Sequence, residues 1–383
     1  MIYLDNNAST EPDPEVLAAV EEAGRLYGNP SSIHAEGRRA RRAIEEARSE
    51  VAKLVNARAD EIFFTSGGTE SNALAIFGAT WGRRGRIVLS GAEHPSVAEA
   101  VDRLGKRDGF EIAAVNPEPS GALDCEKLLA AAPRGTALVT VMAANNEYGA
   151  IFPVAQVARE LRNRGALVHT DAVQAAGKVS IDVRAWDVDL LSCSAHKLHG
   201  PKGVGALFIR KGLPISSHTP GGGQEHKLRA GTENTSGIVG FGVAARLARQ
   251  RLSEAAAVGE LRDRFESVVA DRIPGTRVVG HRAPRLANTS AVLFEGVSGE
   301  ALVARLDLEG IAVSVGSACS SGTTSPSPAI LALGLSPVEA RGVLRFSLSR
   351  QTTAAEIDRV ADLLPGLVAA ARRAPVPEMA FVV

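Results

Sequence analysis

The sequence predicts an α/β fold of two parts, in which a seven-stranded, mostly parallel sheet covered by helices is followed by a smaller α+β unit. The main observation is that short apolar runs rich in β-branched residues alternate with longer helical patterns from Glu61 to about Arg210. After the glycine-rich stretch TPGGGQEHKLRAGTEN, the pattern changes to one long helix followed by closely spaced strands. A chain of 383 residues with 45% hydrophobic content is large enough for both cores.

Seven apolar runs predict the strands of the large sheet, and helical patterns separate most of them. In chain order they are EIFFT, RIVLS, EIAAV, ALVTVM, ALVHTDA, DLLSCSA and VGALFIR. Strands of a parallel sheet are buried on both faces, which explains why these runs are nearly continuous in apolar residues.

In the smaller part, a helix is predicted from about Ser253 to Ile273, because a Pro-Gly pair follows it directly. The strand candidates are TRVVG, TSAVLF, IAVSVG and LRFSLS, and a last helix is predicted near Glu356 to Arg373. We therefore expect an N-terminal arm at residues 1–14 that packs with the small domain, a large domain at 15–252 and the small domain at 253–383.

Composition argues against several classes of function. Lys plus Arg and Asp plus Glu number 43 each, so no overall field favours nucleic acid or an anionic membrane. The start MIYLDNNAST has no basic region followed by an apolar run, and no 18 uncharged apolar residues occur in succession, so we expect a cytoplasmic protein without a membrane span. The three cysteines, Cys125, Cys193 and Cys319, lack CxxC or Cys/His metal spacing and are expected to be reduced thiols.

The most informative stretch is SCSAHKLHGPKG, which places Lys197 between a histidine and a run of small residues. A lysine in a confined, glycine-bounded position can lose its proton and form a Schiff base with an aldehyde. A solvated lysine beside a turn fits the same string.

The segment TSGGTESNAL follows the strand candidate EIFF and opens a helical pattern. Gly68 allows close backbone approach, the helix start supplies unpaired N–H groups and Thr69 adds a hydroxyl, so the turn could hold a phosphate. The segment matches neither a Walker loop nor a dinucleotide fingerprint. A plain strand-to-helix turn capped by Thr69 is the alternative.

Further polar residues are predicted at the same edge of the sheet. Asp171 lies at the carboxyl end of ALVHTDA, where a carboxylate could hold a protonated pyridine nitrogen, and Gln174 just beyond could reach the phenolic oxygen of that ring. His94 in GAEHPSV follows RIVLS, and its ring could stack on a planar cofactor. The alternatives are a helix cap for Asp171 and an exposed loop histidine for His94.

Two residues of the smaller part are candidates for chemistry. Cys319 in VGSACSSGTTSPSP lies among small, hydroxyl-bearing residues, a composition typical of an accessible loop that carries a reactive thiol. Arg345 in VLRFSLSR could bind an α-carboxylate at two points. An incidental surface thiol and a surface ion pair are the respective alternatives.

Together these strings resemble the cysteine desulfurases, which are pyridoxal-phosphate enzymes of fold-type I in the class V aminotransferase superfamily. The resemblance covers nearly the whole chain. The matching motifs are YLDNNAST, YGNPSSIHAEGRRARRAIEEAR, FTSGGTESNALAI, EHPSV, NNEYGAI, HTDAVQAAGK, SAHKLHGPKGVGAL, GGGQEHKLRAGTEN, GSACSSG and LRFSLSR. The spacing between Cys319 and Arg345 is similar to that of the NifS and IscS group, and GGGQE and RAGTEN are similar to its nitrogenase-type branch.

The resemblance implies pyridoxal 5'-phosphate as cofactor, bound as a Schiff base on Lys197, which then also moves protons. Asp171 would pair with the pyridine nitrogen, Gln174 with the phenolic oxygen, and His94 would stack on the ring. The residues implied to bind the phosphate are Gly68, Thr69, Ser194 and His196, with Thr232 of the neighbouring subunit of a homodimer. Asn146 would contact the cofactor and, with Arg345, the substrate carboxylate.

The implied reaction converts L-cysteine to L-alanine and leaves the sulfur as a persulfide on Cys319. The sulfur would then pass to an acceptor protein of the iron–sulfur scaffold or tRNA-thiolation type. Two departures from the family, Tyr148 in NNEYG and the tail APVPEMAFVV, leave the acceptor open. The alternatives are a selenocysteine lyase, a class V aminotransferase and a catalytically silent scaffold protein of the same fold.

Overall fold

The computed structural model describes residues 1–316 and 326–373. Its strands are Ile2–Tyr3 (β1), Ile62–Thr65 (β2), Arg86–Ser90 (β3), Glu111–Val115 (β4), Thr136–Thr140 (β5), Leu167–Asp171 (β6), Leu190–Ser194 (β7), Gly205–Ile209 (β8), Thr276–Val278 (β9), Thr289–Phe294 (β10), Ile311–Ala312 (β11), Ser314–Val315 (β12) and Val343–Ser347 (β13).

The α-helices in these two ranges are Pro14–Ala23 (α1), Ala35–Leu54 (α2), Gly68–Thr80 (α3), Pro95–Asp108 (α4), Cys125–Ala131 (α5), Val154–Arg162 (α6), Val183–Trp186 (α7), Thr235–Gln250 (α8), Ala255–Arg272 (α9), Gly299–Leu308 (α10), Pro328–Leu331 (α11), Pro337–Arg341 (α12) and Ala354–Arg373 (α13). Short 3₁₀ turns cover Ala59–Glu61, Ala195–Lys197, Gln224–Lys227 and Leu252–Glu254. Within the described part of the chain, no helix is long and apolar enough to cross a membrane.

The large sheet has the strand order β2-β8-β7-β6-β5-β3-β4. All its pairings are parallel except those of β8, which runs antiparallel to both of its neighbours. The predicted seven-stranded, mostly parallel sheet is therefore confirmed, with one strand for each predicted apolar run. Because β3, β5, β6 and β7 are parallel, their carboxyl ends meet at one edge, where open α/β sheets collect ligand groups.

The second sheet is antiparallel, in the order β12-β13-β10-β9. Helices α9 and α13 pack together, and α9 covers β9 and β10. The centre of this core is aromatic: the rings of Phe265 and Phe346 lie 4.7 Å apart, and Phe294 contacts Phe346 edge-on. The smaller part is thus an α+β unit, as the strand and helix patterns predict.

The run IAVSVG forms two strands instead of the predicted one. Its first half, β11, pairs in parallel with the N-terminal β1, while its second half, β12, pairs with β13. A strand that changes partners must break its hydrogen-bond ladder at the change, which here falls on Val313. Ile2 and Leu4 are buried in the same core as Phe265, so the first residues of the chain pack on the smaller part. The domain boundaries at residues 14 and 252 stay a prediction.

Candidate active site

Lys197 lies just past the end of β7, in the 3₁₀ turn Ala195–Lys197. The chain doubles back so tightly after this turn that a Cβ on Gly200 would come within 2.8 Å of the Ala195 carbonyl oxygen. The Lys197 side chain is half-buried, and its Nζ donates to the carbonyl oxygens of Asn7, at 2.5 Å, and Ala8, at 2.8 Å. Lys197 is therefore held against the N-terminal segment and is not a solvated surface lysine.

Gln174 lies beside the amine of Lys197. The Gln174 Nε2 donates to the Asn7 carbonyl oxygen at 2.9 Å, and the same oxygen accepts from Lys197 Nζ. Two nitrogens that donate to one oxygen are close neighbours, so the Gln174 amide lies next to the atom that would form a Schiff base. Gln174 is 4% exposed, so its amide is a fixed part of the site.

Asp171 ends β6 and is 5% exposed. Its Oδ1 accepts from the backbone amide of Val173 at 2.9 Å, so Asp171 does cap the turn that follows β6. Its Oδ2 accepts from Asn72 Nδ2 at 2.7 Å, which fixes the carboxylate in a second direction. Sequence reasoning missed Asn72, although it lies inside the motif TSGGTESNAL; its contact with Asp171 spans 99 residues and has no local signal.

His94 belongs to the same hydrogen-bond network. It caps α4, and its Nδ1 accepts from the amide of Ser96 at 3.1 Å and lies 2.8 Å from the Ser96 hydroxyl. That hydroxyl in turn accepts from Asn72, which joins His94 to Asp171. Because the Ser96 amide can only donate, Nδ1 is the unprotonated nitrogen of the His94 ring.

Glu93 is a buried carboxyl group beside this network. Its Oε1 accepts from the Ser90 hydroxyl and from the amide of Met142, while its buried Oε2 has no partner among the described residues. Burial, with a smaller contribution from the negative charge of Asp171, raises the pKa of Glu93 to about 8. Glu93 is thus mainly protonated at neutral pH.

The predicted anion turn forms the N-terminus of α3, which begins at Gly68. A Cβ on Gly68 would come within 2.7 Å of Val173 Cγ2 and 3.7 Å of Ser194 Cβ, so the absence of a side chain keeps the turn packed against the end of β7. Thr69 is exposed at the start of the helix. The structure therefore brings Gly68, Thr69 and Ser194 together around unpaired helix N–H groups, which suits an anion.

His196 lies between Ser194 and Lys197 in sequence, and Ser9 Oγ lies 3.3 Å from its Nδ1. Burial, followed by the charges of Lys197 and Lys202, lowers the pKa of His196 to about 4. The ring is neutral near pH 7 and can offer one N–H to an anion.

Arg345 lies on β13 and is 1% exposed. Its Nη2 donates to Asp5 Oδ1 at 2.7 Å and its Nη1 to the carbonyl oxygen of Asn146 at 3.0 Å. Its Nε is buried without a hydrogen-bond partner among the described residues. The structure therefore brings Asn146 and Arg345 together, and Asp5 is a partner that the sequence did not reveal.

The segment that carries Thr232 is anchored through Glu225. Arg48 donates from both terminal nitrogens to the two oxygens of Glu225, each at 2.8 Å, and the pair is buried. Glu225, His226 and Lys227 have φ values of 43°, 55° and 68°, a strained left-handed run that the buried pair holds in place. Thr232 itself is exposed, and its predicted contact with a neighbouring subunit stays a prediction.

The described cysteines are poor nucleophiles. Burial raises the pKa of the Cys193 thiol to about 12, and burial also raises the pKa of Cys125. Cys319 lies outside the described residues. No cluster of His, Cys, Asp or Glu within residues 1–316 and 326–373 could hold a metal ion.

The fold and this arrangement of lysine, carboxylate and anion turn are those of a cofactor-dependent enzyme of the aminotransferase type. The profile of the Aminotransferase class-V family matches residues 2–360, and the chain belongs to this family.

Its relatives within the family are cysteine desulfurases. The chain is 48% identical to a cysteine desulfurase of Cereibacter sphaeroides, over 96% of this chain and 95% of the relative. It is 43% identical to cysteine desulfurase 2 of Trichormus variabilis, over 96% and 93%. A solved NifS-like protein superposes with a TM-score of 0.89 at 36% identity, covering 96% of this chain and 99% of that protein. Another, described as SspA in complex with cysteine, has a TM-score of 0.81 at 32% identity, covering 92% and 100%. The resemblance predicted from the motifs is therefore confirmed, as is the fold that it implies.

His169 on β6 is expected to make the free energy of unfolding of the protein depend on pH. Its ring lies between the hydroxyls of Thr140 and Ser192, and burial lowers its pKa to about 3. In the unfolded chain the ring takes a proton near pH 6.5, so the free energy of unfolding should fall as the pH drops from 6.5 towards 3. One such proton contributes a slope of up to about 1.4 kcal/mol per pH unit.

The substitution His169→Gln is expected to make this slope shallower between pH 6 and pH 4, since glutamine takes no proton there. Denaturant unfolding at a series of pH values measures the slope. His281→Gln is the control, because His281 is exposed. An unchanged slope in the His169 variant would show that other groups cause the acid sensitivity.

Proposed function

We propose that the chain is a pyridoxal-phosphate-dependent cysteine desulfurase, which takes sulfur from L-cysteine and releases L-alanine. The observation that carries the proposal is that Lys197 Nζ and Gln174 Nε2 donate to one oxygen, that of Asn7, at a sheet edge where β6 ends in the buried Asp171. The chemistry of pyridoxal phosphate requires an amine, a donor for an adjacent oxygen and a carboxylate.

The donor set fits each polar group of that cofactor. In pyridoxal phosphate the phenolic oxygen is a neighbour of the aldehyde carbon, which suits an amide donor beside the amine of Lys197. The Asp171 carboxylate, held by Asn72 and by the amide of Val173, suits a protonated ring nitrogen. The N-terminus of α3, with Ser194 and neutral His196, suits a phosphate dianion.

The bound cofactor supplies an electron sink that makes the α-proton of an amino acid acidic. Lys197 is the residue proposed to move that proton, because its amine lies at the sheet edge beside the Gln174 amide. His94 would stack on the ring, with its Nδ1 held by Ser96 so that the ring orientation is fixed. Asp171 would keep the ring nitrogen protonated throughout.

Arg345 and Asn146 are proposed to bind the substrate carboxylate. Arg345 already donates to Asp5 and to the Asn146 carbonyl oxygen, and its unpartnered Nε offers a further donor. A guanidinium can bind a carboxylate at two points, so the substrate would compete with Asp5 for one nitrogen. The fixed backbone carbonyl of Asn146 then keeps the orientation of the arginine.

Cys319 is proposed as the sulfur acceptor. Its thiolate would bond to the sulfur of cysteine as the C–S bond breaks, which leaves a persulfide on Cys319. The carbon skeleton keeps the bonding electrons, takes up a proton and leaves as alanine. The two described cysteines cannot readily take this role, because their thiols are held protonated by burial.

The proposal extends to the assembly and its partner. We infer a homodimer in which Thr232 of each chain reaches the phosphate of its neighbour, a role that suits an exposed residue on an anchored segment. We further infer a sulfur-acceptor protein, of the iron–sulfur scaffold or tRNA-thiolation type, and a cytoplasmic location, where reducing conditions suit a persulfide-forming thiol.

The direct test supplies purified protein with L-cysteine and a thiol reductant, and measures sulfide and alanine. We expect a yellow protein that borohydride bleaches, and equal amounts of the two products. Release of selenide from selenocysteine with almost no sulfide from cysteine would instead indicate a selenocysteine lyase. Amino-group transfer to a keto acid without sulfide would indicate an aminotransferase. Colourless protein that takes up no pyridoxal phosphate would indicate a scaffold.

A further inference from the structure

Lys178 is a half-buried lysine for which the reaction proposed above has no role. It lies four residues beyond Gln174 in the same turn segment, and its Nζ donates to Gln174 Oε1 at 2.7 Å and to Asn7 Oδ1 at 3.4 Å. Both acceptors are neutral amide oxygens, so neither offers the negative charge that usually accompanies a lysine amine withdrawn from water. Such a costly arrangement calls for an explanation in the site that it adjoins.

The charges around Lys178 are mostly positive. Lys197 and Arg345 are near enough to disfavour its ammonium form, and with burial as the main cause they lower the pKa of Lys178 to about 7. Lys178 in turn disfavours protonation of His196 and His199. On its other side Lys178 lines a cavity of about 90 Å³, where the carboxylate of Asp13 is already bonded by Arg251 and Arg350.

The hydrogen bonds determine which way the Gln174 amide faces. Lys178 Nζ donates to Gln174 Oε1, so the oxygen of the amide lies on the side of Lys178. The NH₂ group must then face the other way, towards the Asn7 carbonyl oxygen and the amine of Lys197. With the amide reversed, its oxygen would face the Asn7 carbonyl oxygen, and neither oxygen can donate a hydrogen bond.

We propose that Lys178 is a positioning residue, which fixes the Gln174 amide so that its NH₂ group is presented to the oxygen next to the Schiff-base linkage on Lys197. The assignment rests on the proposed function, because it needs the cofactor on Lys197. Donation to the phenolic oxygen stabilises its anionic form. The neighbouring nitrogen of the linkage then loses its proton at a lower pH than it would without the donor.

The test measures the pH at which the visible absorption band of the bound cofactor changes, a readout that does not depend on turnover. In Lys178→Met the amide is no longer held, and this transition pH is expected to rise by about 1. Loss of the nearby positive charge acts in the same direction, so a second comparison separates the two causes. In a Gln174→Ala background, Lys178→Met should move the transition by less than half as much.

Several outcomes would overturn the assignment. An unmoved transition in Lys178→Met would do so, and so would a full shift that persists without Gln174, since the lysine would then act through its charge alone. Protein that takes up no cofactor would overturn the proposed function as well. Lys106→Met is the control, because Lys106 is exposed in the last turn of α4. Thermal unfolding checks that each variant is folded. If Lys178→Met is not folded, Lys178→Leu is used in its place.

Discussion

Replacing Lys197 with alanine is expected to lower the rate of sulfide release from L-cysteine by about a thousandfold, the range that a positioned general acid–base supplies. The amine donates to the carbonyl oxygens of Asn7 and Ala8 at the sheet edge. The Gln174 amide donates to the same Asn7 oxygen and so lies beside the amine. The nearby Lys178 cannot replace Lys197, because its amine donates to the side-chain oxygens of Gln174 and Asn7. Steady-state assays of sulfide and alanine measure the loss.

The cofactor should still bind to this variant, because Asp171 and the N-terminus of α3 do not depend on the lysine. We therefore expect a protein that binds pyridoxal phosphate but that borohydride no longer links covalently to it. Lys106→Ala is the control, since that lysine is exposed in the last turn of α4. A rate within tenfold of the original protein would contradict the role given to Lys197.

The sequence was most informative where local pattern and topology agree. Each apolar run of the large sheet became a strand, because strands buried on both faces need a continuous apolar sequence. Asp171 and Ser194 lie at the carboxyl ends of β6 and β7, and the topology rule for parallel sheets places such residues at a ligand site. Lys197 lies three residues after the end of β7, so its location at this edge of the sheet was predictable as well.

The partners of these residues were not predictable, since they come from distant parts of the chain. Asn7 hydrogen-bonds to Thr289, 282 positions away, and its carbonyl oxygen accepts from Gln174 and Lys197. Asp5 bonds Arg345 across 340 positions. No local periodicity marks an N-terminal segment as the lining of a site, because such contacts arise only when the two sheets have packed.

This N-terminal segment joins the two parts of the proposed site. Its strand β1 pairs with β11 of the smaller part, the amide of Asn7 donates to the Ser347 hydroxyl, and the carbonyl oxygen of Asn7 holds Lys197 on the larger part. Because one short segment contacts both the proposed cofactor lysine and the β13 strand of Arg345, it fixes their relative positions. The substrate carboxylate and the reacting carbon are thereby held at a set separation.

The described residues on either side of positions 317–325 converge on one buried carboxyl group, that of Glu147. Gly316 lies so close to Glu147 that a Cβ there would come within 2.9 Å of Glu147 Oε2, and Ser327 hydrogen-bonds to the same side chain. Strand β12, just before Gly316, pairs Ser314 with Arg345. The described residues that border positions 317–325 therefore lie beside Glu147 and Arg345.

The substitution Cys319→Ala is expected to abolish sulfide release, with at least about a thousandfold loss of rate, because no nucleophile then takes the sulfur. Cofactor binding and its visible absorption should be unchanged, and L-cysteine should still alter that absorption, since Arg345 and Asn146 are the residues proposed to bind the carboxylate. Cys125→Ala is the control, as this half-buried thiol lies on α5 and has a raised pKa. Sulfide release at the original rate from the Cys319 variant would mean that sulfur leaves without a persulfide on the protein, and would favour direct elimination over transfer.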